Sequence, residues 1–125
     1  MTTTVKSLAP AHPIIEVVHE GTVTAADIRA AEKQILELAN SGGLHLLLGN
    51  YINATDLPGA IDTVTLIESA IAALGGRAGG RHALLWPKDD QARIELDVAR
   101  MAEKNQGVRI HIFGDRDAAI AWLES

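Results

Sequence analysis

Cysteine is absent from the 125 residues. That removes disulfides, thiol nucleophiles and thiolate metal sites together, and it fits a cytoplasmic setting. Aromatic residues make up only 3% of the chain, so a core must be built from Ala, Leu, Ile and Val. A flat, stacked ligand would find few partners; a flexible aliphatic one suits this composition better. No uninterrupted apolar run approaches the roughly 20 residues that a membrane span needs. Lys and Arg number 11 against 16 Asp and Glu, for a net charge of -5, and they are scattered, so no nucleic-acid footprint is present. The opening residues lack the charged-then-apolar build of a secretory signal. Internal repeats and low-complexity stretches are also missing.

What is there is a hydrophobic fraction of 47%, enough for the buried centre of one domain over residues 1–125. Residues 5–8 read as a short strand and 9–12 as a turn. Pro13 opens the β-branched run 14–19, ended by Gly21, and the two strands lie close enough to pair as an antiparallel hairpin. Thr24 with Asp27 has the spacing to satisfy the free N–H groups of a helix start. Ile28, Ala31, Ile35 and Leu38 then form an apolar stripe that stops at Gly42 and Gly43.

Residues 44–48 are short, apolar and bounded by breakers, the pattern of a central strand covered on both faces. A polar loop follows. Asp56 and Pro58 mark a helix running towards Leu74 with Ala60, Val64, Ile67 and Ile71 on its buried stripe. The glycine-rich turn 75–80 lacks the spacing of a phosphate-binding loop. Residues 82–86 form the next strand, closed by Pro87. Asp89 or Asp90 caps a helix whose Ile94, Val98 and Met101 point inward, with Arg93 and Asp97 on its exposed face. Residues 108–113 alternate apolar and polar, which places that strand nearer an edge. Asp115 caps a last helix anchored by Ile120, Trp122 and Leu123. Strands alternating with helices predict an α/β fold with right-handed crossovers and a mostly parallel sheet.

Three stretches in their order and spacing carry a family likeness. They are Gly21 to Thr24 before the first helix, residues 81–86 followed by Pro87 and an acidic cap, and Phe113, Gly114 and Asp115 with residues 119–123. Together they resemble the STAS superfamily, the fold of bacterial anti-sigma-factor antagonists, in its small stand-alone branch. The likeness spans nearly the whole chain. It implies a four- or five-stranded, mostly parallel sheet with an N-terminal hairpin strand and four helices packed around it. It also implies a non-enzymatic regulatory module that binds a protein partner or itself. In switching members of that family, a partner kinase phosphorylates a serine in an Asp-Ser-Ser-Gly turn. The matching positions here are Asp56, Leu57, Pro58 and Gly59, and Leu57 has no hydroxyl to accept a phosphate. Lipid-transfer domains share the broad fold. The alternative is therefore a carrier of a small lipophilic ligand, held between the helix that starts near Asp56 and the sheet.

The candidate contact residues are Asn50, Tyr51, Asn53, Thr55 and Asp56 in the expected loop, with Trp86 and Lys88 on the same rim. Such a cluster serves either partner recognition or turn chemistry, because Asn and Asp bond their own backbone. Thr55 is the one candidate phosphoacceptor, although Asp56 beside it would repel a phosphate. Lys88, Asp89 and Asp90 do not make a receiver domain, since the matching earlier positions hold His19, Glu20, Gly49 and Asn50. Five histidines (His12, His19, His45, His82 and His111) raise the question of a metal. None of them has helical ligand spacing, and solvated strand ends are expected, His45 and His82 sharing one rim. No serine sits in a nucleophile elbow. Neither catalytic residues, a metal nor a cofactor is expected, and the chain reads as a non-enzyme.

Overall fold

The β-branched run that begins at Ile14 becomes the second strand of a five-stranded sheet. The computed structural model describes residues 3–42, 46–57, 81–103 and 109–125. Within them lie β1 (Thr3–Ser7), β2 (Ile14–Thr22), α1 (Ala25–Gly42), β3 (Leu46–Asp56), β4 (Arg81–Leu85), α2 (Asp90–Glu103), β5 (Arg109–Phe113) and α3 (Arg116–Glu124). The sheet order is β1-β2-β3-β4-β5. Only β1 runs antiparallel, pairing Thr3 with His19 through Ser7 with Ile15, so the expected hairpin is present. The remaining neighbours are parallel. β5 forms the far edge, as its alternating pattern predicts. Three helices are described; the helix expected towards Leu74 falls outside the described residues.

Alternation along the strands divides the core in two. Ile15, Val17 and Leu47 pack against Ala31, Ile35 and Ala39 of α1. Tyr51 and Leu84 continue that face towards Ala92 and Leu96 of α2. On the opposite face Ile14, Leu48, Ala83 and Leu85 pack under Ala119, Ile120 and Leu123 of α3. Ile14, Ile15, Leu48, Leu84 and Leu85 are fully buried. Each such side chain contributes roughly 1.5–3 kcal/mol relative to an exposed position. All three described helices start on the expected kind of cap. Thr24 N–H donates to Asp27 Oδ2 at 3.0 Å, and Asp27 N–H donates back to Thr24 Oγ1 at 3.2 Å. Asp89 Oδ2 accepts from Ala92 N–H at 3.0 Å, which makes Asp89 the cap of α2. Asp115 Oδ2 accepts from Ala118 N–H at 3.1 Å.

Two expectations need correction. Residues 49–56 are strand and not loop, and Asp56 is the last residue of β3 instead of a helix cap. The reason lies in the register with β2. Val18 pairs with Asn50 and Glu20 with Asn53; Gly21 pairs with Ala54 and Thr22 with Asp56. At each of these steps β3 carries one residue more than β2. Such bulges break the two-residue alternation by which a strand is read, so this one looks like a polar loop. β2 follows it past residue 19 to Thr22, with Gly21 at φ 65°, where glycine has no steric penalty. The second correction concerns α2. Ile94 is 61% exposed, while Ala92 and Leu96 are fully buried. Ala92 and Leu96 stand one turn apart and set the inward stripe, leaving Ile94 on the far side. The side chains of Val98 and Met101 are outside the described residues.

Candidate functional site

The carboxyl ends of the parallel strands form the rim that the sequence singles out. Three backbone bonds tie it together: Lys88 N–H to Ile52 O at 3.1 Å, Val23 N–H to Asp56 O at 2.8 Å, and Trp86 N–H to Phe113 O at 3.1 Å. Asn53, Thr55, Asp56 and Lys88 are exposed on this rim and Trp86 is half-buried. Arg93 lies over the Trp86 ring, 5.2 Å from its centroid, and its Nε donates to Pro87 O at 2.7 Å. A guanidinium on an indole face holds both side chains by cation–π attraction. Leu57, just beyond, is only 4% exposed and belongs to the core shared with Leu84 and Leu96. Leu57 is therefore an apolar anchor between β3 and α2.

Two of the expected contact residues are not on the rim. Asn50 is engaged within the fold: its Nδ2 donates to Glu16 Oε2 at 3.0 Å and its Oδ1 accepts from Ile52 N–H at 3.1 Å. Glu16 is fully buried. It also receives Arg116 Nη2 at 2.6 Å and Nε at 3.3 Å, with Lys6 Nζ at 3.6 Å. Burial pushes the Glu16 pKa up, but Arg116, Asn50 and Lys6 together hold it below the usual carboxylate value. This is a satisfied structural charge joining α3 to the sheet.

Tyr51 is the other. It is 4% exposed, on the α1 side of β3, and stacks on His19 with centroids 4.4 Å apart and planes 24° apart. His19 and His82 are buried too, so neither is the solvated strand end that was expected; His45 is outside the described residues. Register is the reason. Leu47 pairs with His82, and both point to the covered face. Thr3 Oγ1 and His19 Nδ1 share a buried hydrogen bond of 3.0 Å. Burial drives the His19 pKa down to about 4, against the pull of Asp27, so this imidazole is neutral at physiological pH.

These three rings border a cavity of about 30 Å³ between α1 and the sheet. That is room for about two water molecules, and far short of an acyl chain. Gly49 forms part of its floor. A Cβ there would stand 2.8 Å from Leu84 Cδ2 and 3.0 Å from Tyr51 Cε2, so only glycine leaves the ring its place. Glu32 of α1 closes one side, and its Oε1 is sealed from solvent without a hydrogen-bond partner among the described residues. Burial raises its pKa, with Arg29 acting the other way. The site thus gathers a carboxyl, two imidazoles and a phenol in an otherwise aliphatic wall. Among the described residues no group of three His, Asp or Glu side chains is arranged to hold a metal. Sequence reading missed this site. Its one available signal was the alternation placing His19, Tyr51 and His82 on one face.

No family model and no curated protein matches the sequence. In structure the chain is similar to an uncharacterised protein of the DUF3478 family with a SpoIIAA-like fold from Shewanella loihica PV-4. The match has a TM-score of 0.59 at 17% identity and covers 97% of this chain and 91% of that one. The fold is therefore SpoIIAA-like, the architecture of the STAS and anti-sigma-factor-antagonist domains that the sequence resembles.

Proposed function

We propose that the chain is a non-enzymatic, cytoplasmic interaction module of STAS type, which meets a protein partner or a second copy of itself through the rim of Asn53, Thr55, Asp56, Trp86 and Lys88. The observation that carries this reading is the separation of roles on β3. Its polar residues beyond the bulge, Asn53, Thr55 and Asp56, stand exposed, and backbone bonds bind that segment to the neighbouring loops. A rigid, polar, outward rim is suited to recognition. Leucine at position 57, buried as it is, supports a module without the serine phosphoswitch. Thr55 is the hydroxyl left for a kinase. Among the described residues no helix is long and apolar enough to cross a membrane.

The test is affinity enrichment from cell lysate, with light scattering on the purified protein, comparing wild type with an Asn53→Arg, Lys88→Glu double variant. Both substitutions lie on exposed side chains, so the circular dichroism spectrum should be unchanged. A partner depleted at least tenfold, or a dimer lost, is the expected result. Identical partner profiles and identical mass would count against the rim.

A further inference from the structure

We infer that the outer edge of β5 is an interface at which two copies of the chain pair antiparallel about a two-fold axis at His111, joining their sheets into one. This edge is separate from the rim and does not depend on the rim's partner.

The direction of the backbone groups sets this arrangement. In a strand, the N–H and C=O of one residue point to the same side, and successive residues alternate. Phe113 O accepts from Trp86 N–H, which turns the backbone groups of Phe113, His111 and Arg109 towards β4. Ile110 and Ile112 therefore present their N–H and C=O outward. Among the described residues β5 ends the sheet, and no loop or turn backbone bonds to Ile110 or Ile112. Such an edge is a template for another strand unless Lys, Pro or a bulge blunts it. The opposite edge, β1, carries Lys6. The middle of β5 is Ile-His-Ile, and its register with β4 runs without a shift.

The edge is also self-complementary, which is why a second copy is the occupant. Two outward residues on either side of an inward one fit the same strand run backwards. Ile110 of one copy exchanges both bonds with Ile112 of the other, and the reverse. His111 then faces His111 of the other copy as the pair without bonds, their Cα atoms about 4.5 Å apart. The His111 ring is exposed and packs edge-on to Phe113 and Trp122, with centroids 5.9 and 4.8 Å away. Phe113 and Trp122 are half-buried, and the second copy covers what they leave open. Helix α3 is centred on Leu48, Ala83 and Leu85 of β3 and β4, inward of the edge. The antiparallel order also sets Arg109 of each copy at the end where Gly114 and Asp115 of the other follow its strand. Unlike charges thus share both ends.

The experiment is sedimentation velocity on the purified chain across the micromolar to millimolar range, with amide hydrogen exchange read by NMR. A monomer–dimer equilibrium with a Kd on the order of 100 μM or tighter is expected for a small interface. Exchange at the amides of Ile110 and Ile112 should slow as concentration rises. His111→Lys and His111→Glu each set like charges face to face and should weaken the dimer at least tenfold. Mixed in equal amounts, the two variants should form a heterodimer tighter than either homodimer. His111 is exposed, so both variants should keep the circular dichroism spectrum of wild type. The rim variant Asn53→Arg, Lys88→Glu should still dimerise through β5; a dimer lost there belongs to the rim and overturns this inference alone. A monomer at every concentration, exchange at the two amides that ignores concentration, a His111→Lys homodimer as tight as wild type, or no preference for the heterodimer would each overturn it and leave the rim standing.

Discussion

The two faces of the sheet bury polar groups in opposite ways. Under α3, the Glu16 carboxylate is fully buried and meets Arg116, Asn50 and Lys6. Both oxygens of that charge have partners within the fold. Under α1, His19, Tyr51 and His82 are buried around a cavity, and Glu32 Oε1 has no partner among the described residues. The lesson is that burial of polar side chains does not by itself identify a site. A satisfied network holds elements together, whereas a sealed acceptor without a donor costs stability.

The largest effect that would sharpen this contrast is on the satisfied face. Arg116→Ala leaves Glu16 buried with only Asn50 and Lys6, and should lower stability by about 3 kcal/mol in urea titration, the low end for a broken buried pair because the Arg116 side chain is 41% exposed. Replacing both Glu16 and Arg116 by Met should restore most of that loss, because no buried charge is then left without its partner. A double variant no better than the single one would break the view of this network as structural.

Acid should unpick the two faces in different pH windows. His19 binds a proton below about pH 6.5 when unfolded, but only near 4 when folded. The unfolded state therefore takes up more protons in between, and stability falls with pH across that window by about 3 kcal/mol. Glu16 has a folded pKa below its ordinary value of 4.5, so its contribution is present above that value and is lost as pH drops through the folded one. Glu32, raised by burial, acts in the opposite sense, favouring the folded state as acid protonates it. Urea midpoints from pH 8 to 3.5 should show both phases in wild type. In His19→Gln only the more acidic phase should remain; persistence of the upper one would assign it elsewhere.

The smallest of the three effects concerns the cavity floor. Gly49→Ala places a methyl 2.8 Å from Leu84 Cδ2 and 3.0 Å from Tyr51 Cε2. Overpacking of this kind costs about 1–3 kcal/mol. The accompanying change should be a displaced Tyr51 ring, read from its near-ultraviolet circular dichroism. A neutral substitution with an unaltered spectrum would mean that the floor yields more easily than the close contacts imply.

Local chemistry made most of the scaffold legible. Thr24, Asp27 and Asp115 announce helix starts because capping depends on residues three apart. Residues 109–113 announce an edge because one side of that strand is less covered. What stayed hidden depends on pairing between distant segments. The extra residues in β3 exist only relative to β2, so Asn50 to Asp56 look like a loop until the two strands are set side by side. Ile94 is a strong hydrophobe on a helix, and nothing adjacent in the chain says that Ala92 and Leu96 will take the core instead. Tyr51 was legible as a residue of interest but was placed on the outside. Its partner His19 lies thirty-two positions earlier, and only the register brings the two rings together.

The strand order β1-β2-β3-β4-β5 has a consequence for how the chain is made. Each strand meets in space the one that precedes it in translation, so none has to be threaded between two already joined. During synthesis at about 5–20 residues per second the sheet can grow outward from its hairpin. Helix α3 is translated after all five described strands, and its Ala119, Ile120 and Leu123 pack over Ile14, Leu48 and Leu85. That packing therefore waits until the described sheet is complete.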